Sequence, residues 1–244
     1  MLRNNQDAYG HLLWDYFKKG SGLEIVERDD GLLDPSDQLP AYYFAHHDKW
    51  AEYERRAMRF VQGRVLDVGC GAGRVALYLQ RKGLNVLGID ISPLALRVCR
   101  LRGLRNCRLL PAAEVDRLTS EFDTVLMFGN NFGLLGGYKQ GRTILRKFRK
   151  VTTENARIVA ASLDPYKTKD PAHLAYQRIN RHRGRMSGQV RIRVRYRTYM
   201  TPWFDYLLVS KKEMQRLVSD TGWRIERFLD SKGPAYIAVI RKTT

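Results

Sequence analysis

The stretch Val65-Leu66-Asp67-Val68-Gly69-Cys70-Gly71-Ala72-Gly73-Arg74 decides the fold of this 244-residue chain. Its apolar residues predict a buried strand. Three glycines at alternate positions predict a tight turn that opens a helix over Val75 to Lys82. Glycine adopts backbone conformations that are closed to other residues, and it places no side chain in the way. A ligand can therefore lie directly against main-chain N–H groups at a helix N-terminus.

A second apolar run, Asn85-Val86-Leu87-Gly88-Ile89, ends in Asp90. In α/β nucleotide folds, a carboxylate at the tip of the second strand holds two ribose hydroxyls. The dinucleotide fingerprint G-x-G-x-x-G would need its third glycine at position 74, where this chain has Arg74. An acid, Asp67, also precedes the turn, where dinucleotide folds usually carry an apolar residue or glycine. These two departures argue against a dinucleotide site.

The glycine motif resembles motif I of the class I S-adenosylmethionine-dependent methyltransferases, (D/E)-x-G-x-G-x-G. The resemblance covers residues 60–165 by motif and the whole chain by element order. It implies S-adenosylmethionine as the methyl donor and S-adenosylhomocysteine as the product. The implied donor contacts are Asp67 at the amino-acid end, the main chain of Gly69, Cys70, Gly71 and Gly73, Asp90 on the ribose hydroxyls, and Ile91 beside adenine.

The segment after the third strand departs from the family pattern. The family often has a G-D-A-E-like stretch there, whose acid contacts the adenine amino group. This chain has Pro111-Ala112-Ala113-Glu114, so Ala112 takes the place of the acid. The main chain of Ala113 and the side chain of Glu114 are the candidate substitutes. A solvated residue at a helix start is an equal alternative for Glu114.

The fourth strand ends in Met127-Phe128-Gly129-Asn130-Asn131-Phe132-Gly133. Donor and acceptor are expected to meet at this carboxyl edge of the sheet. Asn130 is a candidate donor contact and Asn131 a candidate acceptor contact, although neither amide can abstract a proton. A plain turn before Gly133 explains the two asparagines equally well.

A hydroxyl acceptor would need a general base, and histidine is the usual choice. We select His47 as the candidate catalytic base because the aromatic residues just before it are able to line a pocket; a structural role is the alternative. The candidate acceptor contacts are Tyr43, Asp164 and Tyr166. No metal is expected, because His46-His47-Asp48 are adjacent and adjacent helical residues diverge around the axis.

Composition limits the class of protein. With 44% hydrophobic residues, a chain of this length can bury a large core. It contains no run of about 18 apolar residues, so no membrane span is expected. Its first residues lack the apolar core of a signal peptide. The three cysteines are odd in number and have no C-x-x-C spacing, which favours a reducing, cytoplasmic setting.

The net charge of +18 is the second unusual feature. Its most concentrated element is Val190-Arg191-Ile192-Arg193-Val194-Arg195-Tyr196-Arg197, a period-two strand with four arginines on one face. We call this element the arginine ladder. It is compatible with a solvated edge strand, with binding of an anionic substrate or nucleic-acid phosphate, or with pairing to the chain's own acidic stretch from Glu24 to Asp37.

The element order predicts an α/β fold with a doubly wound, seven-stranded, mostly parallel sheet of class I methyltransferase type. An N-terminal helical extension and an inserted β hairpin, Val190–Tyr199 with Trp203–Val209, complete it. Helical spacing predicts helices from Asp7 to Lys19 and from Ala41 to Val61, and the acidic stretch is predicted to be turn-rich. We expect one domain, in which 1–62 form a helical cap, 63–165 the donor-binding core, 166–209 the insertion, and 210–244 the last helix and last two strands. The seven predicted strands are Val65–Val68, Val86–Ile89, Arg108–Leu110, Thr124–Phe128, Ile158–Ser162, Trp223–Phe228 and Tyr236–Ile240.

These features predict a cytoplasmic S-adenosylmethionine-dependent methyltransferase. The expected acceptor is a small molecule, anionic or aromatic, methylated on oxygen or nitrogen. An RNA methyltransferase that uses the basic surface is the alternative within enzymes, although nucleic acid is the less favoured partner. A donor-binding module without catalysis is the alternative from another class.

Overall fold

The computed structural model describes residues 2–243; Met1 and Thr244, the two ends of the predicted domain, lie outside the described residues. Twelve strands are described. They are β1 (Glu24–Arg28), β2 (Leu33–Ser36), β3 (Arg64–Val68), β4 (Asn85–Asp90), β5 (Cys107–Leu109), β6 (Phe122–Met127), β7 (Thr152–Leu163), β8 (Gln189–Tyr196), β9 (Tyr199–Met200), β10 (Phe204–Leu207), β11 (Trp223–Asp230) and β12 (Ala235–Lys242).

Within residues 2–243, eight α-helices lie among these strands, and short 3₁₀ segments lie between some of them. The helices are α1 (Ala8–Lys19), α2 (Leu39–Phe44), α3 (Glu52–Ala57), α4 (Arg74–Arg81), α5 (Pro93–Leu101), α6 (Tyr138–Lys150), α7 (Pro171–His182) and α8 (Lys211–Val218). Among the described helices, none is both long enough and apolar enough to cross a bilayer.

The main sheet has seven strands in the order β11-β12-β7-β6-β3-β4-β5. β4 pairs with β5 and β6 with β7 in parallel, whereas β12 runs antiparallel to both β7 and β11. All seven predicted strands are present, and the last strand is inserted antiparallel beside the fifth, β7. The predicted fold class is therefore confirmed.

A second sheet, in the order β10-β8-β1-β2 with β9 paired to β8, joins the insertion to the N-terminal region. The acidic stretch from Glu24 to Asp37 has the predicted turn, at Asp29-Asp30-Gly31, but the strands β1 and β2 that form a hairpin around it were not predicted. The turn is reinforced by the Arg28 guanidinium, which donates to both Asp30 carboxylate oxygens at 2.8 and 2.7 Å. Val26 pairs with Val194 of β8, so the hairpin acquires its pairing partner from a distant part of the chain.

The arginine ladder occupies β8, which lies inside the second sheet between β10 and β1. An edge strand is therefore the wrong interpretation. The Arg193 guanidinium donates to both oxygens of Glu27 at 2.8 and 2.9 Å, and Arg195 donates to the same carboxylate at 3.1 Å. Arg197 lies 3.1 Å from an oxygen of Asp15 on α1. For Arg193 and Arg195, pairing with the chain's own acidic stretch is confirmed.

The predicted helix from Ala41 to Val61 is also wrong as a continuous element. It is divided into α2, α3 and single 3₁₀ turns, with extended backbone at Trp50, whose ψ is 151°. The Trp50 indole is 3% exposed and donates to the Ala45 carbonyl at 3.0 Å. This buried contact stabilises a break in the helix that helical spacing alone does not reveal.

The predicted first helix is confirmed as α1. Asp7 caps it by accepting from the Gly10 N–H at 3.0 Å, and Gly20 ends it with a φ of +73°. The helix buries residues on two sides. One cluster contains Ala8, Leu12, Val194 and Tyr196, and the other contains Leu13, Ala72, Ala95 and Val98.

The chain forms two compact units. The first comprises the chain up to Trp50 together with Asp67–Pro111 and Arg191–Phe204. The second comprises Ala51–Leu66, Ala112–Val190 and the chain from Asp205 onward. The glycine turn, Asp90, α1 and most of the second sheet thus belong to the first unit.

Candidate active site

The glycine turn has the backbone that its sequence predicts. Gly69, Gly71 and Gly73 have φ values of +71°, +53° and +80°, in the region that L side chains rarely adopt. The N–H groups of Gly69 and Cys70 donate to the Ile89 carbonyl at 2.9 and 3.0 Å. These bonds fix the turn against β4, so its remaining main-chain groups have a defined orientation.

Asp90 joins the end of β4 to this turn. One carboxylate oxygen accepts from the Gly71 N–H and the other from the Ser92 N–H, each at 2.9 Å. The residue is 8% exposed, and burial is the main reason why the pKa of its carboxyl is raised. The glycine turn and Asp90, which are predicted to bind the same ligand, therefore contact each other directly.

Asp67 lies beneath the turn and is 3% exposed. Burial raises the pKa of its carboxyl to about 7, against the opposing effects of the Arg74 charge and of a hydrogen bond from the Ala76 N–H. The Arg74 guanidinium donates to the Tyr42 hydroxyl at 2.6 Å and lies 3.9 Å from the centroid of that ring. Asp67 is thus a buried acid whose charge is opposed by one cation.

Two thiols support the turn from within. Cys99 donates to the Gly71 carbonyl at 3.0 Å, and the Cys70 thiol lies beside Gly88, where a side chain would approach it to 2.8 Å. Both thiols are buried and free. Cys70 therefore packs its side chain in the core, while its N–H group holds the turn against β4.

Three residues of the N-terminal region, Tyr9, Tyr43 and Glu24, contact the turn or each other. A Cβ atom at Gly71 would lie 2.8 Å from the Tyr9 hydroxyl. The Tyr9 ring packs edge-on against Tyr43 with 5.2 Å between centroids, and the Tyr43 hydroxyl donates to Glu24 at 2.9 Å. Tyr43 was predicted as an acceptor contact; Tyr9 and Glu24 carried no motif that could have identified them.

His47, the predicted base, contacts aromatic side chains of the first unit. Its ring stacks on Tyr78 of α4 with 4.2 Å between centroids and 3° between planes. The Trp50 ring is 5.1 Å away. Ile91, the predicted adenine neighbour, directly follows Asp90 and is 46% exposed.

The other predicted site residues belong to the second unit. Glu114 is paired with Arg117, and the Ala113 carbonyl accepts from the Lys147 ammonium at 2.6 Å. Asn130 has a φ of +64°, and Asn131 begins a short 3₁₀ turn. Asp164 accepts from the Tyr166 N–H at 3.0 Å. The Tyr166 hydroxyl donates to Glu213 at 2.8 Å.

The parallel sheet, the glycine turn and the acid at the tip of the next strand define a class I methyltransferase fold. In agreement, residues 65–155 match the family model described as a methyltransferase domain. A solved structure of a SAM-dependent methyltransferase from Bacteroides fragilis, in complex with S-adenosyl-L-homocysteine, is similar over 100% of this chain and 98% of its own, with a TM-score of 0.86 and 25% identity. Residues 65–155 thus form a methyltransferase domain, and the chain has the fold of the class I S-adenosylmethionine-dependent methyltransferases.

Curated relatives match over shorter segments. A ubiquinone biosynthesis O-methyltransferase from Xylella fastidiosa is 40% identical over 55 residues, which is 22% of each chain. The putative methyltransferase YqeM from Bacillus subtilis is 25% identical over 125 residues, 50% of this chain and 48% of that protein. The chain thus spans about a fifth of the first relative and about half of the second.

Proposed function

We propose that this protein transfers the methyl group of S-adenosylmethionine to oxygen or nitrogen of a small-molecule acceptor, leaving S-adenosylhomocysteine. The observation that carries the proposal is the direct bond between the Gly71 N–H and Asp90 beside three glycines with positive φ. The residues fit the donor, because the three glycines put no side chain on the turn, and a carboxylate has about four lone-pair sites, so Asp90 can accept from a ligand hydroxyl as well as from its main-chain donors.

Each predicted donor contact keeps its role in this proposal. Asp90 accepts the ribose hydroxyls, the main chain of Gly69 to Gly73 faces the donor, Asp67 orients its amino-acid end, and the exposed Ile91 flanks adenine. Ala113, Glu114 and Asn130 remain predicted donor contacts. Tyr43, Asn131, Asp164 and Tyr166 remain predicted acceptor contacts.

The bound donor supplies a methyl group that is already activated, so the protein has to align the acceptor and exclude water. Alignment of this kind is worth about 7–11 kcal/mol. A hydroxyl acceptor also has to lose a proton, and the names of the ubiquinone-related relatives support an oxygen acceptor. His47 remains the predicted base.

The proposal is tested by titrating the protein with S-adenosylhomocysteine in a calorimeter, then measuring conversion of S-adenosylmethionine with a panel of phenols, alcohols and amines. We expect binding with one site per chain, and turnover with at least one acceptor. D90A is the matched variant and should lose the binding heat. Tight uptake of a nicotinamide dinucleotide, without binding of S-adenosylhomocysteine, would refute the proposal.

The two alternatives predict different results in the same assays. An RNA methyltransferase would bind tRNA or rRNA with an affinity that falls steeply with salt. The Glu27 carboxylate already neutralises part of the arginine ladder, which argues against that alternative. A binding module would take up donor without converting it. We also propose that the chain acts as one methyltransferase domain in the cytoplasm.

A further inference from the structure

Glu24 is a buried acid with an incomplete set of partners. It begins β1 and is 4% exposed. One carboxylate oxygen accepts from the Tyr43 hydroxyl at 2.9 Å, and no other side chain among residues 2–243 donates a hydrogen bond to this carboxylate. A buried carboxylate usually needs a cation or several donors to offset its desolvation. Glu24 has neither, which indicates a role beyond packing.

Contacts within the first unit connect Glu24 to the glycine turn. Tyr43 donates to Glu24 and packs edge-on against Tyr9. The Tyr9 hydroxyl occupies the space into which a side chain at Gly71 would project. Glu24, Tyr43 and Tyr9 therefore form a continuous polar and aromatic wall that ends at the main chain of the turn.

The charges around this wall are acidic. The titratable groups that face Glu24 are Tyr43 of α2, Asp34 of β2 and Tyr9 of α1. Burial is the main reason why the pKa of Glu24 is raised to about 7; the Tyr43 hydrogen bond lowers it and Asp34 raises it. A carboxyl with this pKa exchanges a proton near neutral pH, as a general base must.

We propose that Glu24 is the proton acceptor for a hydroxyl-bearing acceptor, with Tyr43 orienting its carboxylate and Tyr9 separating it from the turn. This inference rests on the proposed methyltransferase function and assigns to Glu24 the proton-accepting role for which the sequence had suggested His47. The acceptor oxygen forms a bond to the methyl carbon while the methyl–sulfur bond breaks and its electron pair stays on sulfur. The hydroxyl proton passes to Glu24, which later releases it to solvent.

The experiment measures protons released on donor binding. The positive sulfonium of S-adenosylmethionine should favour ionised Glu24, whereas the uncharged sulfur of S-adenosylhomocysteine should not. Calorimetric titrations in two buffers of different ionisation enthalpy give the number of protons released. At pH 7, half of Glu24 is protonated before binding, so we expect about half a proton more per S-adenosylmethionine bound in wild type than in E24Q. S-adenosylhomocysteine should show a smaller difference.

E27Q is the matched control on the same strand and should release as many protons as wild type, because Glu27 is paired with Arg193 and Arg195. Y43F removes the hydrogen bond that lowers the Glu24 pKa, so the pH at which release is half complete should rise. Equal release by wild type and E24Q, or loss of release in H47A but not in E24Q, would overturn the proposal. Absence of any binding heat with either compound would instead overturn the proposed function.

Discussion

Asp67 determines part of how the stability of this protein varies with pH. It is 3% exposed, and burial raises the pKa of its carboxyl from its ordinary value of 3.8 to about 7. An acid with a raised folded-state pKa binds more protons in the native state, so stability falls as the pH rises between the unfolded and folded pKa values. Each pH unit in that window costs about 1.4 kcal/mol. Between pH 5 and pH 8, Asp67 should therefore destabilise the fold by about 2.5 kcal/mol.

The variant D67N removes this titration while it keeps an oxygen for the Ala76 N–H. Urea denaturation followed by tryptophan fluorescence, at half-unit steps from pH 5 to pH 8, gives the free energy of unfolding of both proteins. The decline with pH should be smaller in D67N by about 2.5 kcal/mol. The variant D48N, whose parent side chain is 70% exposed, is the control and should follow wild type. Parallel profiles of D67N and wild type would refute the burial argument.

Three further substitutions test the turn and the N-terminal cap. G71A places a side chain on a backbone with a φ of +53° and 2.8 Å from the Tyr9 hydroxyl, so the donor affinity measured by calorimetry should fall more than tenfold. Adding Y9F to G71A should restore part of the lost affinity. An unchanged affinity in G71A would contradict the geometry. D7A removes an acceptor shared by the first turn of α1 and, at 3.1 Å, the N-terminus of α5, so urea denaturation should show a loss of about 2 kcal/mol, with D7N losing less. D90A removes the carboxylate that accepts from the Gly71 and Ser92 N–H groups and, in our proposal, from the ribose hydroxyls. S-adenosylhomocysteine should therefore bind at least a hundredfold more weakly to D90A. Binding within threefold of wild type would exclude the ribose role.

The seven strands of the main sheet could be predicted because their signals are local. Apolar runs bounded by glycine and polar turns specify them, and the glycine turn specifies its own positive φ angles. The second sheet could be predicted only in part, because the strands β1 and β2 and the register that joins Glu27 to Arg193, 166 residues apart, have no local signal. Their opposite charges made pairing between the acidic stretch and the arginine ladder one of several alternatives, and only the fold selects among them. The break in the helix at Trp50 was missed for a similar reason, since the indole contact that stabilises it is tertiary.

Glu24 illustrates the same limit on prediction from sequence. Glu24 begins a short strand with no motif, and its partner Tyr43 lies 19 residues away on a different element. Periodicity assigned both residues to the cap but gave no indication that they share a hydrogen bond. Most of the predicted donor contacts follow one another along the chain and could be proposed from it, whereas the contacts of Glu24 and Tyr9 depend on packing and could not.

Buried acids surround the turn in a protein whose net charge is +18. In the first unit Glu24, Asp67 and Asp90 all have raised pKa values, with burial as the main cause. A cationic ligand offsets this desolvated negative charge, whereas a neutral one does not. Proton release and affinity are linked, so if Glu24 is fully ionised in the complex, S-adenosylmethionine should bind about tenfold more tightly at pH 8 than at pH 6 in wild type relative to E24Q. Dissociation constants for both proteins across that range measure the effect. An identical pH dependence in the two proteins would mean that the charge of the donor does not change the ionisation of Glu24.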